Sequence, residues 1–382
     1  MGRASPGREG DARRPPRDEK GRAVGSQRKK IAIIGGDGIG PSVTHEAKLL
    51  LEIYRDKAGL PLDLWELDLG ADRYLRDGVT FPKEIQIAVQ RECAAVLLGA
   101  LGDPRVPGLE HARDILFGMR FGFDLYANVR PVKALSDRLV PLKGRGAKDV
   151  DMVVFRENTE GVYVGMGGQF KRGTPDEVAI NEDLNTRKGV ERIVRAAFEF
   201  AKRTGKKRVC MADKSNAMRH AHELWLRVFD EVRREYPEIE SRHLYVDALC
   251  LLMIQDPSQF EVLVMNNLFG DIVTDLGAAL QGGLGMAASA NVHASDPTRV
   301  AMFEPVHGSA PPLAGKDIAN PFAAILTVGM MLTHLGWPDE ETRIERVVAA
   351  AIEEKACTVD VGGTLGTRAA AAWVRERVAK EL

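Results

Sequence analysis

The stretch NNLFGDIVTDL, residues 266–276, carries the strongest fold signal in this chain. The apolar run 262–265 before it predicts a buried strand that ends at two amides. A helix is expected next, with Asp271 and Asp275 four residues apart on one face. Two carboxylates held that close repel each other unless a cation lies between them, and hard oxygen ligands select Mg²⁺ or Mn²⁺. The stretch therefore predicts a strand, a helix and half of a metal site.

Strand and helix patterns alternate outward from this stretch. Short apolar runs typical of strands lie at 31–34, 94–98, 152–155, 209–212 and 262–265. Amphipathic helices are predicted at 189–203 and 221–235. This alternation indicates an α/β fold with layers of helix on a sheet.

A glycine-rich turn, GDGIGP at 36–41, follows the first predicted strand. Pro41 occupies the place where the G-x-G-x-x-G fingerprint needs its last glycine, so a Rossmann fold is not expected. The run GLGMAA at 283–288 satisfies a looser pattern but lacks a strand before it. Any nicotinamide cofactor should therefore bind outside a Rossmann fold.

Composition indicates an ordinary globular protein. The chain has 382 residues, 45% of them hydrophobic, and a net charge of −1, so nothing favours nucleic acid or a membrane surface as a partner. Its four cysteines are scattered, which argues against a disulfide framework or a zinc site and fits the cytoplasm. Residues 1–28 are rich in Arg, Gly and Pro with few large apolar side chains, and are expected to be a disordered tail.

Charged residues follow several of the predicted strands. Asp247 and Lys214 each come just after a short β-type run, where open α/β sheets build their sites. Three arginines, Arg120, Arg130 and Arg156, could bind carboxylates through their forked guanidiniums. Together with a metal ion they describe a site for a small di- or tricarboxylate.

Eight segments in order along the chain resemble the metal-dependent β-decarboxylating dehydrogenases, the isocitrate/isopropylmalate dehydrogenase family. They are GDGIGP (36–41), DLYANVRP (124–131), RENTEGVY (156–163), DKSN (213–216), YVDA (245–248), NNLFGDIVTDLG (266–277), FEPVHGSAP (303–311) and IANPFAAIL (318–326). The resemblance implies a two-domain α/β fold with a large mixed sheet flanked by helices. It implies a cofactor-binding domain from 29–124 and 284–382, and a central domain, 125–283, that carries the metal and substrate site and the dimer interface.

The same resemblance assigns roles to single residues. It implies that Asp247, Asp271 and Asp275 bind Mg²⁺ or Mn²⁺, that Arg120, Arg130 and Arg156 hold the malate carboxylates, and that Tyr163 and Lys214 are the catalytic acid and base. It also implies a homodimer, or a tetramer, whose sites are shared, with Lys214 and Asp247 coming from the second subunit. The substrate that the resemblance implies is a small hydroxy di- or tricarboxylate.

Cofactor choice is less clearly marked. The family pattern places Glu304, His307, Gly308, Ser309, Ala310, Asn320 and Asn216 at the cofactor, with 308–320 as the adenosine loop. NAD-using members carry an Asp where this chain has Pro312, and NADP-using members of the isocitrate type carry a Lys and a Tyr there. Because no cation stands ready for a 2′-phosphate we expect NAD, while Lys316 keeps NADP open.

Substrate choice depends on the segment before Arg120. Leu116 and Phe117 stand where isopropylmalate enzymes have apolar side chains, which favours 3-isopropylmalate, converted to 2-oxoisocaproate in leucine biosynthesis. Arg113 could instead pair with a further carboxylate, so tartrate or D-malate, homoisocitrate and isocitrate stay open. A non-catalytic regulatory subunit is a different class of function, but every matched acid, base and arginine is of the expected type.

Overall fold

The computed structural model describes residues 28–382, which form one ten-stranded sheet, a two-stranded ribbon and flanking helices. The strands are β1 Lys29–Gly36, β2 Leu62–Leu67, β3 Cys93–Ala100, β4 Ala127–Lys133, β5 Asp151–Glu157, β6 Gly167–Phe170, β7 Val178–Asn181, β8 Arg208–Asp213, β9 Glu240–Tyr245, β10 Val262–Met265, β11 Ala288–Val292 and β12 Ala301–Pro305. The helices are α1 Gly40–Asp56, α2 Ala71–Asp77, α3 Lys83–Glu92, α4 Glu110–Gly122, α5 Arg187–Thr204, α6 Arg219–Arg233, α7 Val246–Gln255, α8 Asn267–Leu280, α9 Phe322–His334, α10 Pro338–Glu353 and α11 Thr367–Glu381.

The large sheet is mixed, with the strand order β2-β1-β3-β12-β11-β4-β5-β10-β8-β9. Its two outer parts are parallel: β2, β1, β3 and β12 on one side, and β5, β10, β8 and β9 on the other. Between them β11 and β4 pair antiparallel with each other and with their outer neighbours. The expected large mixed sheet flanked by helices is confirmed.

Side-chain alternation along the strands assigns the helices to the two faces of the sheet. In β1, Ile31 and Ile33 pack with α1, α9, α10 and α11, whereas Ala32 and Ile34 pack with α3 and α4. In β10, 262 and 264 pack with α5 and α6, and 263 and 265 with α7 and α8. Each outer part of the sheet is thus covered on both faces, as parallel sheets require.

The predicted strand and helix around 262–276 are confirmed. Val262–Met265 is fully buried, and the side chain of Asn266 caps α8 by accepting a hydrogen bond of 2.9 Å from the amide of Phe269. The four other predicted strands and the helix at 189–203 are also present. The helix predicted at 221–235 ends at Arg233, because Pro237 disfavours helical backbone at the residue before it.

The glycine-rich turn is held by Asp37. Its carboxylate accepts hydrogen bonds from the amides of Ala71 (2.6 Å) and Gly102 (2.7 Å) and lies 2.8 Å from His111 Nε2. A Cβ on Gly38, whose φ is +59°, would lie 2.0 Å from the carbonyl oxygen of Ser309. The turn therefore needs glycine to pack against the loop that follows β12.

The predicted disordered tail lies outside the described residues except for Arg28. None of the helices within residues 28–382 is both long and apolar enough to cross a membrane. The four cysteines are all free. The predicted domain boundaries at 124/125 and 283/284 stay predictions.

Candidate active site

A cleft of about 280 Å³ opens on the face of the sheet that carries α4 and α8. It gathers many of the side chains singled out in the sequence: Arg113, Leu116, Phe117, Arg120, Arg130, Arg156, Tyr163, Asp271, Glu304, His307 and Gly308. They come from α4, β4, β5, the turn after β5, α8 and the loop after β12. Residues as far apart in sequence as Arg113 and Gly308 therefore meet in one concave site.

Arg130 and Arg156 flank Asp271 at the floor of the cleft. Arg156 is hydrogen bonded through its guanidinium to Asp271 Oδ1, and Arg130 Nη1 lies 3.5 Å from the same oxygen. Arg156 Nε also donates to Asn267 Oδ1 at 2.9 Å, and Arg130 Nη1 donates to Thr274 Oγ1 at 2.6 Å. Because both guanidiniums are buried and anchored from α8, they hold fixed directions for an incoming carboxylate.

Arg120 belongs to a buried polar chain that crosses the central strands. Its guanidinium donates to Glu304 Oε1 at 2.8 Å, and Asn291 donates to the same carboxylate at 2.9 Å. Asn128 in turn donates to Asn291 at 2.7 Å and accepts from Arg130 Nε at 2.5 Å. Two cleft arginines on different elements, Arg120 and Arg130, are thus positioned by one continuous network.

Tyr163 lies in the turn after β5, beside Arg156 and Asp271. Its hydroxyl donates a hydrogen bond of 2.8 Å to Asp271 Oδ2. Its ring packs edge-on against Phe117, with the centroids 6.3 Å apart, and lies 5.2 Å from the guanidinium carbon of Arg156. The hydroxyl is therefore fixed in the cleft with its proton present, as a general acid requires.

Charges in the cleft shift one another's pKa values. Burial, and then the neighbouring charges of Arg130 and Arg120, lower the pKa of Arg156 to about 9. Burial alone would raise the pKa of Asp271, but the charges of Arg156 and Arg130 outweigh it and the pKa is lowered. Burial, followed by the Asp271 hydrogen-bond partner, raises the pKa of Tyr163. The site thus holds an ionised Asp271 and a protonated tyrosine.

Asp275 offers the other half of the predicted metal pair. It follows Asp271 by one turn of α8, and it makes no hydrogen bond or ion pair with any residue from 28 to 382. Partial burial, and then the charge of Asp271, raise its pKa. Within the same residues no three His, Cys, Asp or Glu side chains are grouped as one metal site. Two carboxylates one helical turn apart are oxygen donors of the kind that a divalent ion such as Mg²⁺ or Mn²⁺ uses.

Lys214 and Asp247 lie together outside the cleft lining. They follow β8 and β9, which are neighbours in the sheet, and Lys214 Nζ is 2.8 Å from Asp247 Oδ1. The lysine lowers the pKa of this exposed aspartate. The Lys214 amide donates to the Nδ1 atom of buried His222 at 2.8 Å, and Asn216 is exposed on the same segment. One chain therefore brings the predicted base and third acid to each other but not to the cleft.

The predicted cofactor residues divide into two groups. Glu304, His307 and Gly308 line the cleft, and the buried Nε2 of His307 has no hydrogen-bond partner within residues 28–382. Asn320, by contrast, is buried and uses its side chain within the fold, donating to Asp360 at 3.0 Å and accepting from the Phe322 amide at 2.9 Å. Ser309 and Ala310 belong to the loop between them and lie outside the cleft lining.

Comparison with known proteins places the chain in a family. The family model described as isocitrate/isopropylmalate dehydrogenase matches residues 30–377. The chain belongs to the isocitrate/isopropylmalate dehydrogenase family. That match spans every element that lines the cleft, so the family resemblance seen in eight short segments extends over nearly all of the described chain.

Individual relatives in the isocitrate/isopropylmalate dehydrogenase family are similar over most of their length. The 3-isopropylmalate dehydrogenase of Thermobifida fusca is 44% identical over 352 residues, which are 92% of this chain and 98% of that protein. The 3-isopropylmalate dehydrogenase of Corynebacterium glutamicum is 46% identical over 324 residues, or 85% and 93%. Among solved structures, isocitrate dehydrogenase from Methylococcus capsulatus is similar with a TM-score of 0.83 and 37% identity, covering 92% of this chain and 99% of that one.

The cleft of this isocitrate/isopropylmalate dehydrogenase family member also uses residues that the sequence did not single out for the site. Thr274, Asn267, Asn128 and Asn291 anchor the arginines, and Ser289 lines the cleft. Asn267 and Thr274 stand in the stretch 266–276, Asn267 four residues before Asp271 and Thr274 three residues after it. Asn128 and Asn291 are fully buried amides in β4 and β11, strands that also carry other polar side chains, so the sequence alone does not distinguish them.

Gly270 is predicted to be indispensable for the position of Arg156. A Cβ at this helical position would lie 2.6 Å from both Cβ and Cγ of Arg156. These two atoms are next to the backbone and cannot move unless the backbone of Arg156 moves with them. We expect Gly270→Ala to lower kcat/KM at least about tenfold and to cost roughly 1–3 kcal/mol of stability through overpacking. Gly122→Ala, whose Cβ would meet nothing within 4 Å, is the matched control, and equal effects of the two changes would contradict the prediction.

Glu157, next to Arg156, predicts a pH dependence of stability. Burial raises its pKa from 4.5 to about 7, although it accepts hydrogen bonds from the amides of Thr159 and Glu160. Its stabilising contribution is therefore complete below pH 4.5 and is lost as the pH rises through 7. Between pH 5 and 8 we expect the free energy of unfolding to fall relative to that of Glu157→Gln, by on the order of 3 kcal/mol. Parallel denaturant curves for both proteins over this range would contradict it.

Proposed function

We propose that this chain is an NAD-dependent dehydrogenase that oxidises and decarboxylates 3-isopropylmalate to 2-oxoisocaproate, a step of leucine biosynthesis. The observation that carries the proposal is the composition of the cleft walls. Three buried arginines converge on one side, and Leu116 and Phe117 from α4 form an apolar patch beside them. A dicarboxylate with a branched alkyl group is complementary to both. The names of the two bacterial relatives support the same substrate.

Substrate binding is assigned to the arginines. Arg130 and Arg156, fixed by Thr274 and Asn267, would grip one malate carboxylate, and Arg120, held by Glu304, the other. Arginines outnumber carboxylates in the cleft lining, so an anionic substrate gains charge complementarity on binding.

A divalent ion, Mg²⁺ or Mn²⁺, would be held by Asp271 and Asp275 of one chain and Asp247 of a second. Glu304, His307 and Gly308 in the cleft, with the loop 308–320 and Asn216 of the second chain, would hold NAD. When bound, the ion supplies a Lewis acid at the 2-hydroxyl and the nicotinamide supplies the hydride acceptor. Pro312 removes the usual NAD-type acid, and exposed Lys316 leaves NADP as an outcome of the test.

The proton steps are assigned to Lys214 and Tyr163. Lys214 of the second subunit would accept the proton of the 2-hydroxyl as C2 is oxidised to the ketone. The bond between C3 and its carboxylate then breaks with release of CO2, and the electron pair it leaves is protonated at carbon. Tyr163, whose hydroxyl already carries a proton in the cleft, would deliver it.

A shared site requires a dimer. We propose a homodimer in which each subunit contributes Lys214 and Asp247 to the active site of the other, and two such dimers could form a tetramer. The ribbon β6–β7 supports this, because all eight of its residues are exposed, among them Phe170 and Ile180 at 65% and 54%. We propose two domains, one made of 29–124 with 284–382 and the other of 125–283. They correspond to the two outer parts of the sheet, whose helices pack in separate apolar clusters.

A tricarboxylate is the second candidate substrate, because Arg113 lines the cleft and the similar solved structure is an isocitrate dehydrogenase. The test is the initial rate of NADH or NADPH formation with Mg²⁺ on 3-isopropylmalate, isocitrate, homoisocitrate, D-malate and tartrate. We expect 3-isopropylmalate to have the highest kcat/KM, and Leu116→Ser to lower that value about tenfold or more while leaving the other acids less affected.

Different outcomes of this test separate the alternatives. Preference for isocitrate or homoisocitrate, lost in Arg113→Leu, would replace the proposal by the tricarboxylate one. Preference for D-malate or tartrate would show that the apolar patch does not select the substrate. Inactivity on all five acids, with and without added Mn²⁺, would favour the regulatory subunit.

A further inference from the structure

A second and larger cavity, about 930 Å³ in volume, lies elsewhere in the molecule. Helices α5 on one side and α9 with α10 on the other form its walls, and strands β12, β11, β4 and β5 form its floor. We call it the rear cavity. None of its lining residues belongs to the lining of the candidate active site.

Alternation along the strands places the rear cavity behind the active site. In β4, Val129, Pro131 and Lys133 line the rear cavity, whereas Arg130 lines the active-site cleft. In β5, Val153 and Phe155 line the rear cavity, whereas Arg156 lines the active-site cleft. In β11 and β12, Ala290, Val292 and Phe303 line the rear cavity. Ser289 and Glu304, in the same two strands, line the active-site cleft. Because successive side chains point to opposite faces, the two sites are separated by one sheet thickness.

The floor of the rear cavity is apolar. Val153, Phe155 and Phe303 rise from the strands, Phe200 from α5 and Met330 from α9. A polar or fully hydrated ligand would gain little there, so the complementary molecule has an aromatic or branched aliphatic body.

One wall of the rear cavity carries polar atoms that the fold does not use. Thr333 Oγ1 and His334 Nε2, at the end of α9, are buried and have no hydrogen-bond partner within residues 28–382. Glu341, from the first turns of α10, lines the same wall close to the Thr333 hydroxyl, and it makes no ion pair with any residue from 28 to 382. Buried polar groups are normally satisfied, and a Thr333 hydroxyl that donates to Glu341 still leaves its own lone pairs, the rest of the carboxylate and His334 Nε2 to accept from a ligand or ordered water.

The neighbouring charged groups are, in contrast, already paired. Glu345, one helical turn after Glu341, lies 2.6 Å from Lys133 Nζ. On the opposite wall Arg195 makes two 2.7 Å hydrogen bonds to Glu235, and Arg192 donates to Asp124 at 2.8 Å. Burial, together with the charge of Glu345, raises the pKa of Glu341, although the Thr333 hydroxyl and the more distant charge of Lys133 act in the opposite direction. The uncompensated charge of the polar wall is therefore negative.

We propose that the rear cavity is a ligand site for a protonated amine with an aromatic or branched apolar body. The ammonium group donates to the Glu341 carboxylate, to Thr333 Oγ1 and to His334 Nε2, and the apolar body covers Phe155, Phe303 and Phe200. An ammonium ion has three N–H donors, which match these three acceptors in number. A carboxylate ligand would meet only Arg203, which is exposed and so screened by solvent.

The test uses the full-length protein and three probes of one shape: 2-phenylethylamine, 2-phenylethanol and phenylacetate. Calorimetric titration at pH 7 should give saturable binding of the amine, with the alcohol and the acid at least about tenfold weaker because they lack the charge-assisted donor. Glu341→Gln should weaken binding of the amine about tenfold or more. Thr333→Val, which keeps the shape of the wall, should weaken it by a smaller factor.

Asp151→Asn is the matched control, because it removes the same charge from an exposed position on the same cavity lining and should change the Kd less than about twofold. Thermal melts of the variants report whether each folds. The proposal is overturned if the wild-type protein does not bind the amine, if phenylacetate binds as tightly, or if Glu341→Gln and Asp151→Asn have equal effects. Displacement of the amine by 3-isopropylmalate with Mg²⁺, as in simple competition, would place it in the front cleft and also overturn the proposal.

Discussion

Replacing Tyr163 by Phe is expected to lower the rate of oxidative decarboxylation by about 10²–10⁴, the range over which general acid–base groups act. The change removes only the hydroxyl, and the ring keeps its packing against Phe117 and the Arg156 guanidinium. Because the proton on this hydroxyl is assigned to carbon after CO2 leaves, the loss should fall on decarboxylation more than on oxidation.

The two steps can be followed separately by measuring NADH and CO2 in a single turnover. The expected result is a fast formation of NADH, an accumulated 2-oxo acid that still holds its β-carboxylate, and slow release of CO2. Tyr74→Phe makes the same chemical change at an exposed tyrosine bonded to Glu110 and serves as control. Equal loss of both steps, with no oxidised intermediate, would contradict the role given to Tyr163.

Lys214→Met is expected to reduce activity about as severely, because it removes the group assigned to accept the hydroxyl proton. The larger consequence comes from mixing. If each site takes Tyr163 from one subunit and Lys214 from the other, a hybrid of the two inactive variants has one complete site and one doubly defective site. Random exchange of equal amounts should then restore about a quarter of wild-type activity.

The measurement is activity after joint unfolding and refolding of the two variants, or after co-expression with two tags and purification of the hybrid. Lys214→Arg mixed with Lys214→Met provides a control that cannot form a site with an intact lysine. Failure to regain activity from a confirmed hybrid dimer would show that Tyr163 and Lys214 of different subunits do not share a site. In the single chain the lysine pairs with Asp247 instead, at 2.8 Å.

Much of the fold follows from local sequence. The apolar run 262–265 is a strand because it is β-rich and fully buried, and α8 starts where it does because Asn266 supplies an N-cap oxygen. Pro41 likewise excludes a Rossmann turn before any coordinates are considered. These features depend on neighbours within a few residues, so a single sequence contains them.

Long-range pairing does not follow in the same way. Alternation of side chains along β4 and β11 can indicate only that these segments are strands. It does not indicate that the two strands pair antiparallel with each other between two parallel groups. The ion pair of Arg120 with Glu304 joins residues 184 positions apart, and Glu304 was assigned to the cofactor alone. Likewise the strand-end positions of Lys214 and Asp247 predict a site, but only the adjacency of β8 and β9 brings them to each other.

The strands that carry Arg130 on one face carry Val129 and Pro131 on the other, so the active-site cleft and the rear cavity share one floor. A rotation of the outer parts of the sheet about these strands that brings α4 toward α8 must move α9 and α10 away from α5. The active-site cleft thus becomes smaller as the rear cavity becomes larger, and the reverse also holds. A molecule lodged behind the sheet would bias closure over the substrate, and the substrate would alter its affinity by the same factor, since such linkage is reciprocal.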